Sequence, residues 1–177
     1  PWMQEFFLDD EGAQVWCYEA PGWSKHLRAL GFYRSQPLIA FSIGLTGAGY
    51  WVHFYSDLWR SDTGEEYGAN YGSAGIWVES RRWHATRDGT EDARALRLLA
   101  SLLKEAEERE REGTVCERAR RLLREVLPEA LEPPKSADDV TRHVVEDYDP
   151  DLGKLMSIRK QAAELTIELR RILDESN

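Results

Sequence analysis

Cysteine, histidine and serine are the side chains best suited to covalent or metal chemistry, and this sequence spaces them poorly for either. It has two cysteines, Cys17 and Cys116, and four histidines. Cys17, His53 and a carboxylate could in principle form a thiol nucleophile with its base. No local motif supports that arrangement, and Cys17 between Trp16 and Tyr18 reads as a packed core thiol. His53 and His84 fall in aromatic segments without a third ligand. Asp139, His143 and Asp147 are four residues apart and would share one helix face with Glu146 and Asp149 close by. That spacing could hold a divalent cation weakly, but an exposed acidic face is the commoner use of it. Ser73 lacks the glycine two positions earlier that a nucleophile elbow requires, since Tyr71 stands there. The expectation is a protein without a catalytic residue, a metal or a cofactor.

Binding chemistry has a better candidate. Residues 61–75 form a long segment with Gly64, Gly68, Gly72 and Gly75, preceded by Trp59 and Arg60. Loops of that length in a compact domain are usually functional or disordered. Tyr67 and Tyr71 could present flat amphipathic rings, with Trp59, Arg60 and Ser73 completing a ligand or partner site. The segment carries neither a dinucleotide fingerprint nor a phosphate loop.

Charge narrows the partners. The chain has 177 residues and a formal net charge of −9, the wrong sign for non-specific nucleic-acid binding. The densest basic run, Arg118, Arg120, Arg121 and Arg124, lies beside Glu117 and Glu125 and has no interleaved aromatic to stack a base. It reads as a solvated, neutralised face. A basic protein partner suits an acidic chain, because complementary fields speed and orient association. The longest apolar stretches, such as Pro37 to Ile43, fall far short of the roughly 20 residues of a membrane span. Two cysteines and no signal-peptide layout point to the cytoplasm.

The elements that must position these residues divide into two halves. Of the 19 aromatic residues, 18 lie between Trp2 and Trp83, whereas the second half is rich in Leu, Glu and Arg. Aromatic and β-branched residues suit pleated sheets; the second set are strong helix formers. The expected fold is α+β: residues 1–88 as an aromatic-rich antiparallel β-sheet half with one short helix, then residues 89–177 as a bundle of about four helices sharing its core. The β half is read as a hairpin around Asp9 to Gly12, a helix from Trp23 to Leu30, and strands Leu38 to Leu45 and Tyr50 to Leu58 turning at Thr46 to Gly49. Strands Ile76 to Ser80 and Trp83 to Thr86 follow. Helices are expected over about 91–112, 115–127, 137–147 and 150–174. Thr90 is the first N-cap, Gly113 the stop, and Thr114 to Glu117 a capping box. Pro128, Pro133 and Pro134 mark a connector, and Asp149 caps the last helix with Pro150 at its first position.

The last helix carries a regular seam of Leu155, Ile158, Ala162, Leu165, Leu169 and Ile172, spaced 3, 4, 3, 4, 3. Two kinds of covering fit it: the chain's own helices, or another molecule, either a second copy that makes the chain a homodimer or a partner protein. The functional expectation is a non-catalytic interaction or regulatory protein of the antitoxin, immunity or accessory-subunit type that binds a protein partner. The alternative is a small-molecule or nucleotide sensor whose pocket is the Tyr67/Tyr71 loop with the strand aromatics.

Overall fold

The computed structural model describes residues 14–19, 29–50, 71–73, 76–111, 113–131 and 150–175. The first strand β1 (Trp16–Glu19) is followed by a π-helical turn (Ala29–Arg34) that runs into α1 (Ser35–Ser42). Then come β2 (Gly47–Tyr50), β3 (Tyr71–Ser73), β4 (Ile76–Val78) and the long helix α2 (Arg81–Glu108). A third helix begins as α3 (Thr114–Arg121), widens into a π segment (Leu122–Val126) and closes as α4 (Leu127–Leu131). The last helix is α5 (Leu152–Asp174). The chain divides into two compact units: residues 1–90 with 133–149, and residues 91–132 with 150–177.

The expected aromatic antiparallel sheet half is not found. Among the described residues of the first unit, helix dominates, and the strands form two separate pairs. β1 and β2 are parallel, with Trp16 opposite Gly47 and Glu19 opposite Tyr50. Parallel neighbours need a crossover, and the helical segment 29–42 lies in that connection. Thr46 to Gly49, read as a hairpin turn, is therefore mostly strand. A Cβ at Gly47 would stand 2.5 Å from the ring of Trp16, the residue opposite it on β1. Leu38 to Ser42, read as strand, is helix: a short apolar run does not reveal its own period. The helix ends on Gly44 at φ 82°, with Leu45 N–H donating to Ala40 and Gly44 N–H donating to Phe41. Those two bonds are the paired closure of a helix terminated by a left-handed glycine. The strand expected at Tyr50 to Leu58, the first hairpin turn and most of the Trp23 to Leu30 helix lie outside the described residues.

Two further boundaries shift. Trp83 to Thr86, read as strand, belongs to α2, which starts ten residues before the expected helix. Ser80 is its N-cap, its Oγ accepting from the backbone of Arg82 at 3.1 Å and of Trp83 at 3.2 Å. Thr90, the expected cap, sits inside the helix and turns its hydroxyl back to the Thr86 carbonyl at 2.8 Å. Downstream, Gly113 is the N-cap residue of α3 and no side chain bonds there, so the Thr114 to Glu117 capping box does not form. The α2 helix stops before Gly113, at a left-handed Glu110 with φ 55°. Arg111 N–H donates to Ala106 and Glu110 N–H to Glu107, the same paired closure as at Gly44. Asp151 rather than Asp149 caps α5, its Oδ1 accepting from Gly153 at 2.7 Å and Lys154 at 3.2 Å. The expected helix 137–147 lies outside the described residues.

Both helical prolines follow a π turn. Pro37 comes after Ala29–Arg34, and Pro128 after Leu122–Val126. Proline lacks the N–H for an i→i−4 bond and crowds the carbonyl four residues back; a wider i→i+5 turn accommodates both faults. Pro128 therefore does not end its helix, which continues to Leu131.

Each unit has its own interior. In the first, Phe32, Tyr33, Leu38, Ala40 and Ala85 are buried, with Phe32 and Tyr33 rings edge-to-face at 5.0 Å. Gly89 lets α2 approach the backbone of Arg34: a Cβ there would lie 2.9 Å from the Arg34 carbonyl carbon and closer still to its oxygen. In the second, Leu96, Leu99, Leu103 and Ala106 of α2 are buried, as are Cys116, Ala119, Leu122, Leu127 and Leu131 of the third helix. Among the described residues no helix is long and apolar enough to cross a membrane.

Candidate protein-interaction surface

The sequence candidates separate in the structure. Trp59, Arg60 and Tyr67 lie outside the described residues. Tyr71 and Ser73 fall on β3, opposite Val78 and Ile76 of β4 in an antiparallel pair. Leu155, Ile158, Leu165 and Leu169 are buried, Ile172 is half-buried, and Leu173 closes the stripe. The chain's own helices cover this seam, as α5 packs on α3, the π segment and α4. His84 is exposed, 3.3 Å from Glu79, while His53 and the Asp139, His143, Asp147 face lie outside the described residues. Cys17 Sγ is 3.9 Å from the Gly47 carbonyl, and Cys116 Sγ donates to the Arg111 carbonyl at 3.0 Å. Among the described residues no three His, Cys, Asp or Glu side chains group to hold a metal ion.

The arginine run is engaged in bracing the bundle. Arg120 donates through Nε and Nη2 to Glu107 at 3.2 and 2.6 Å, joining the third helix to α2. Arg118 meets Glu168 at 2.9 Å, joining it to α5. Arg159 closes the ring by meeting Asp92 of α2 at 3.1 Å. Each pair of helices in the second unit is thus bridged by charge, and Arg159 also stands 3.8 Å from Glu91 of α2. The Arg118 and Arg120 pairs are part-exposed, worth about 0.2–1 kcal/mol each, and mainly fix register, whereas the Arg159 pair engages the buried Asp92.

A second side of α5 carries exposed apolar residues. Leu152, Met156 and Ile167 are 39%, 49% and 61% exposed, and Ala163 between them is exposed too. Their spacing of 4, 7 and 4 keeps them within a sector of about 60°, roughly 120° around the helix from the buried seam. Arg170 and Arg171 flank Ile167 in one shallow groove. A neighbouring groove is lined by Leu102, Arg109, Arg170 and Leu173. This arrangement offers methyl and thioether surface edged by both guanidinium and carboxylate groups, Asp174 lining both grooves with Glu175 in the first and Glu105 in the second. The heptad spacing of the buried seam does not include these residues, so it gives no sign of this side of the helix. The trace of that side was present as apolar residues of α5 that fall off the heptad.

Comparison with family models, with curated proteins and with solved structures finds no match for this chain.

Proposed function

We propose that the protein is a non-catalytic interaction or regulatory protein whose second unit docks a protein partner. The observation that carries this reading is the exposure of Leu152 and Ile167 on a side of α5 away from its buried seam. A helix that needs only one buried seam for its own fold gains nothing for folding from a second apolar stripe. Its association with a partner of matching shape does gain, because burying a Met or Ile side chain contributes about 1.5–3 kcal/mol. The ion-pair ring holds the three helices in fixed register and so presents the stripe preformed, which lowers the ordering penalty of binding.

The experiment compares wild type with a Met156→Glu/Ile167→Glu variant as baits in extract of the source cells, read by quantitative mass spectrometry. The reading expects a protein enriched on wild type and lost on the variant, while circular dichroism shows an unchanged helix content. Identical capture profiles for the two baits would refute it.

A further inference from the structure

We infer that the cleft between the third helix and α5 binds a free aliphatic α-amino acid of about valine's size, its ammonium on Glu129 and its carboxylate on Lys154 and Ser157. This site is separate from the exposed apolar side of α5 and does not depend on the docking reading.

Arg118 meets Glu168 towards one end of this helix pair, and the cleft opens towards the other. Val126, Glu129 and Ala130 line it from the third helix; Lys154, Ser157, Ile158 and Gln161 line it from α5. Its volume is about 190 Å³, the share that roughly six water molecules take in the liquid. That admits a molecule of about six to eight heavy atoms and falls below the roughly 300–1,000 Å³ of sites for cofactors and drug-sized ligands. A nucleotide is too large. Val126 ends the π segment, and such turns occur frequently at functional sites.

The lining selects the chemistry. Ala130 and Ile158 are buried and Val126 is half-buried, so one wall is aliphatic. Among the described residues neither Glu129 nor Lys154 has an ion-pair partner, although both line the same cleft. Gln161 Nε2 donates to Ser157 Oγ at 3.1 Å, which leaves the serine proton to be donated onward. A carboxylate, an ammonium and a hydroxyl donor beside an aliphatic wall complement a molecule with both charges on one carbon and a short alkyl group. Charge-assisted hydrogen bonds then form at each end. A simple acid or amine would engage one end and leave the other charge unanswered.

Titration of the full chain with L-valine to about 50 mM, followed by amide nuclear magnetic resonance, tests this, since that range brackets a millimolar affinity. Saturable shifts are expected at the backbone amides of Ala130, Ser157 and Gln161. N-acetyl-L-valine lacks the ammonium and L-valinamide the carboxylate, so each should bind roughly tenfold more weakly to the unaltered protein. L-valine should lose affinity by the same factor for Glu129→Gln and for Lys154→Met. Lys154 is exposed and Glu129 half-buried, so neither change removes core packing, and circular dichroism should show the same helix content. No saturable shift with L-valine overturns the inference, as do variants that bind like wild type or an N-acetyl-L-valine that binds equally well. L-valinamide binding more tightly than L-valine would assign the cleft to a peptide N-terminus and overturn the free amino acid.

Discussion

Replacing Gly89 with alanine sets helix propensity against packing, and the structure says which wins. Gly89 lies inside α2, where alanine is favoured over glycine by about 1 kcal/mol. A side chain there has no room: the added carbon would sit 2.9 Å from the Arg34 carbonyl carbon and 3.0 Å from its Cα. Those are backbone atoms of a buried segment, which cannot swing aside as a flexible side chain could. Overpacking of this kind costs about 1–3 kcal/mol, and a rigid obstacle puts the value in the upper part of that range. The net expectation for Gly89→Ala is a loss of about 1–2 kcal/mol, or roughly 2–8 °C in melting temperature. All seven tryptophans lie between Trp2 and Trp83, so their fluorescence during denaturation reports the first unit, to which Gly89 belongs. Gly49→Ala is the control, because a Cβ at Gly49 meets nothing within 4 Å. If Gly89→Ala proved more stable than wild type, propensity alone would govern and the close approach of α2 to Arg34 would be wrong.

Two further substitutions probe the second unit, and both are best followed by helical circular dichroism because that unit has no tryptophan. Glu110→Gly should stabilise it by about 0.5–1 kcal/mol, since a non-glycine residue at φ 55° carries a left-handed strain that glycine lacks; a loss of stability would contradict the closure drawn for α2. Leu169→Ala should destabilise it by about 2–5 kcal/mol, because Leu169 is fully buried in the seam; a loss below about 1 kcal/mol would show that the seam is not core.

The helical half was legible because its elements carry their own periodicity. The Leu155 to Leu169 seam reads directly as one face, and α5 begins two residues from the expected start. Boundaries failed where two residues could each play the same part. Ser80 and Thr90 are both good caps by residue type, and Ser80 serves because its hydroxyl accepts from the N–H groups of Arg82 and Trp83. The aromatic half misled because ring content was taken as a strand propensity. Phe32 and Tyr33 serve a helical core equally well, and local propensity yields to tertiary burial. Of the candidate site, the apolar residues of α5 were visible, but which stripe the chain would cover with its own helices depends on packing that no single-helix pattern contains.

The π segment in the third helix amounts to a counting device. Buried positions there run Cys116, Ala119, Leu122 and then Leu127, Ala130. The steps of three are ordinary, but the step of five from Leu122 to Leu127 would carry an α-helix about 140° off its face. An i→i+5 turn absorbs the extra residue and returns Leu127 to the side that Leu122 occupies. The segment thus holds one supernumerary residue, like a leap day that keeps two calendars aligned. Removing one residue anywhere else in this helix would rotate everything beyond it by about 100° and turn leucines to water. Removing one between Leu122 and Leu127 would leave an ordinary step of four. The chain therefore carries, in its own bundle, a single place where its length and its hydrophobic face can change independently.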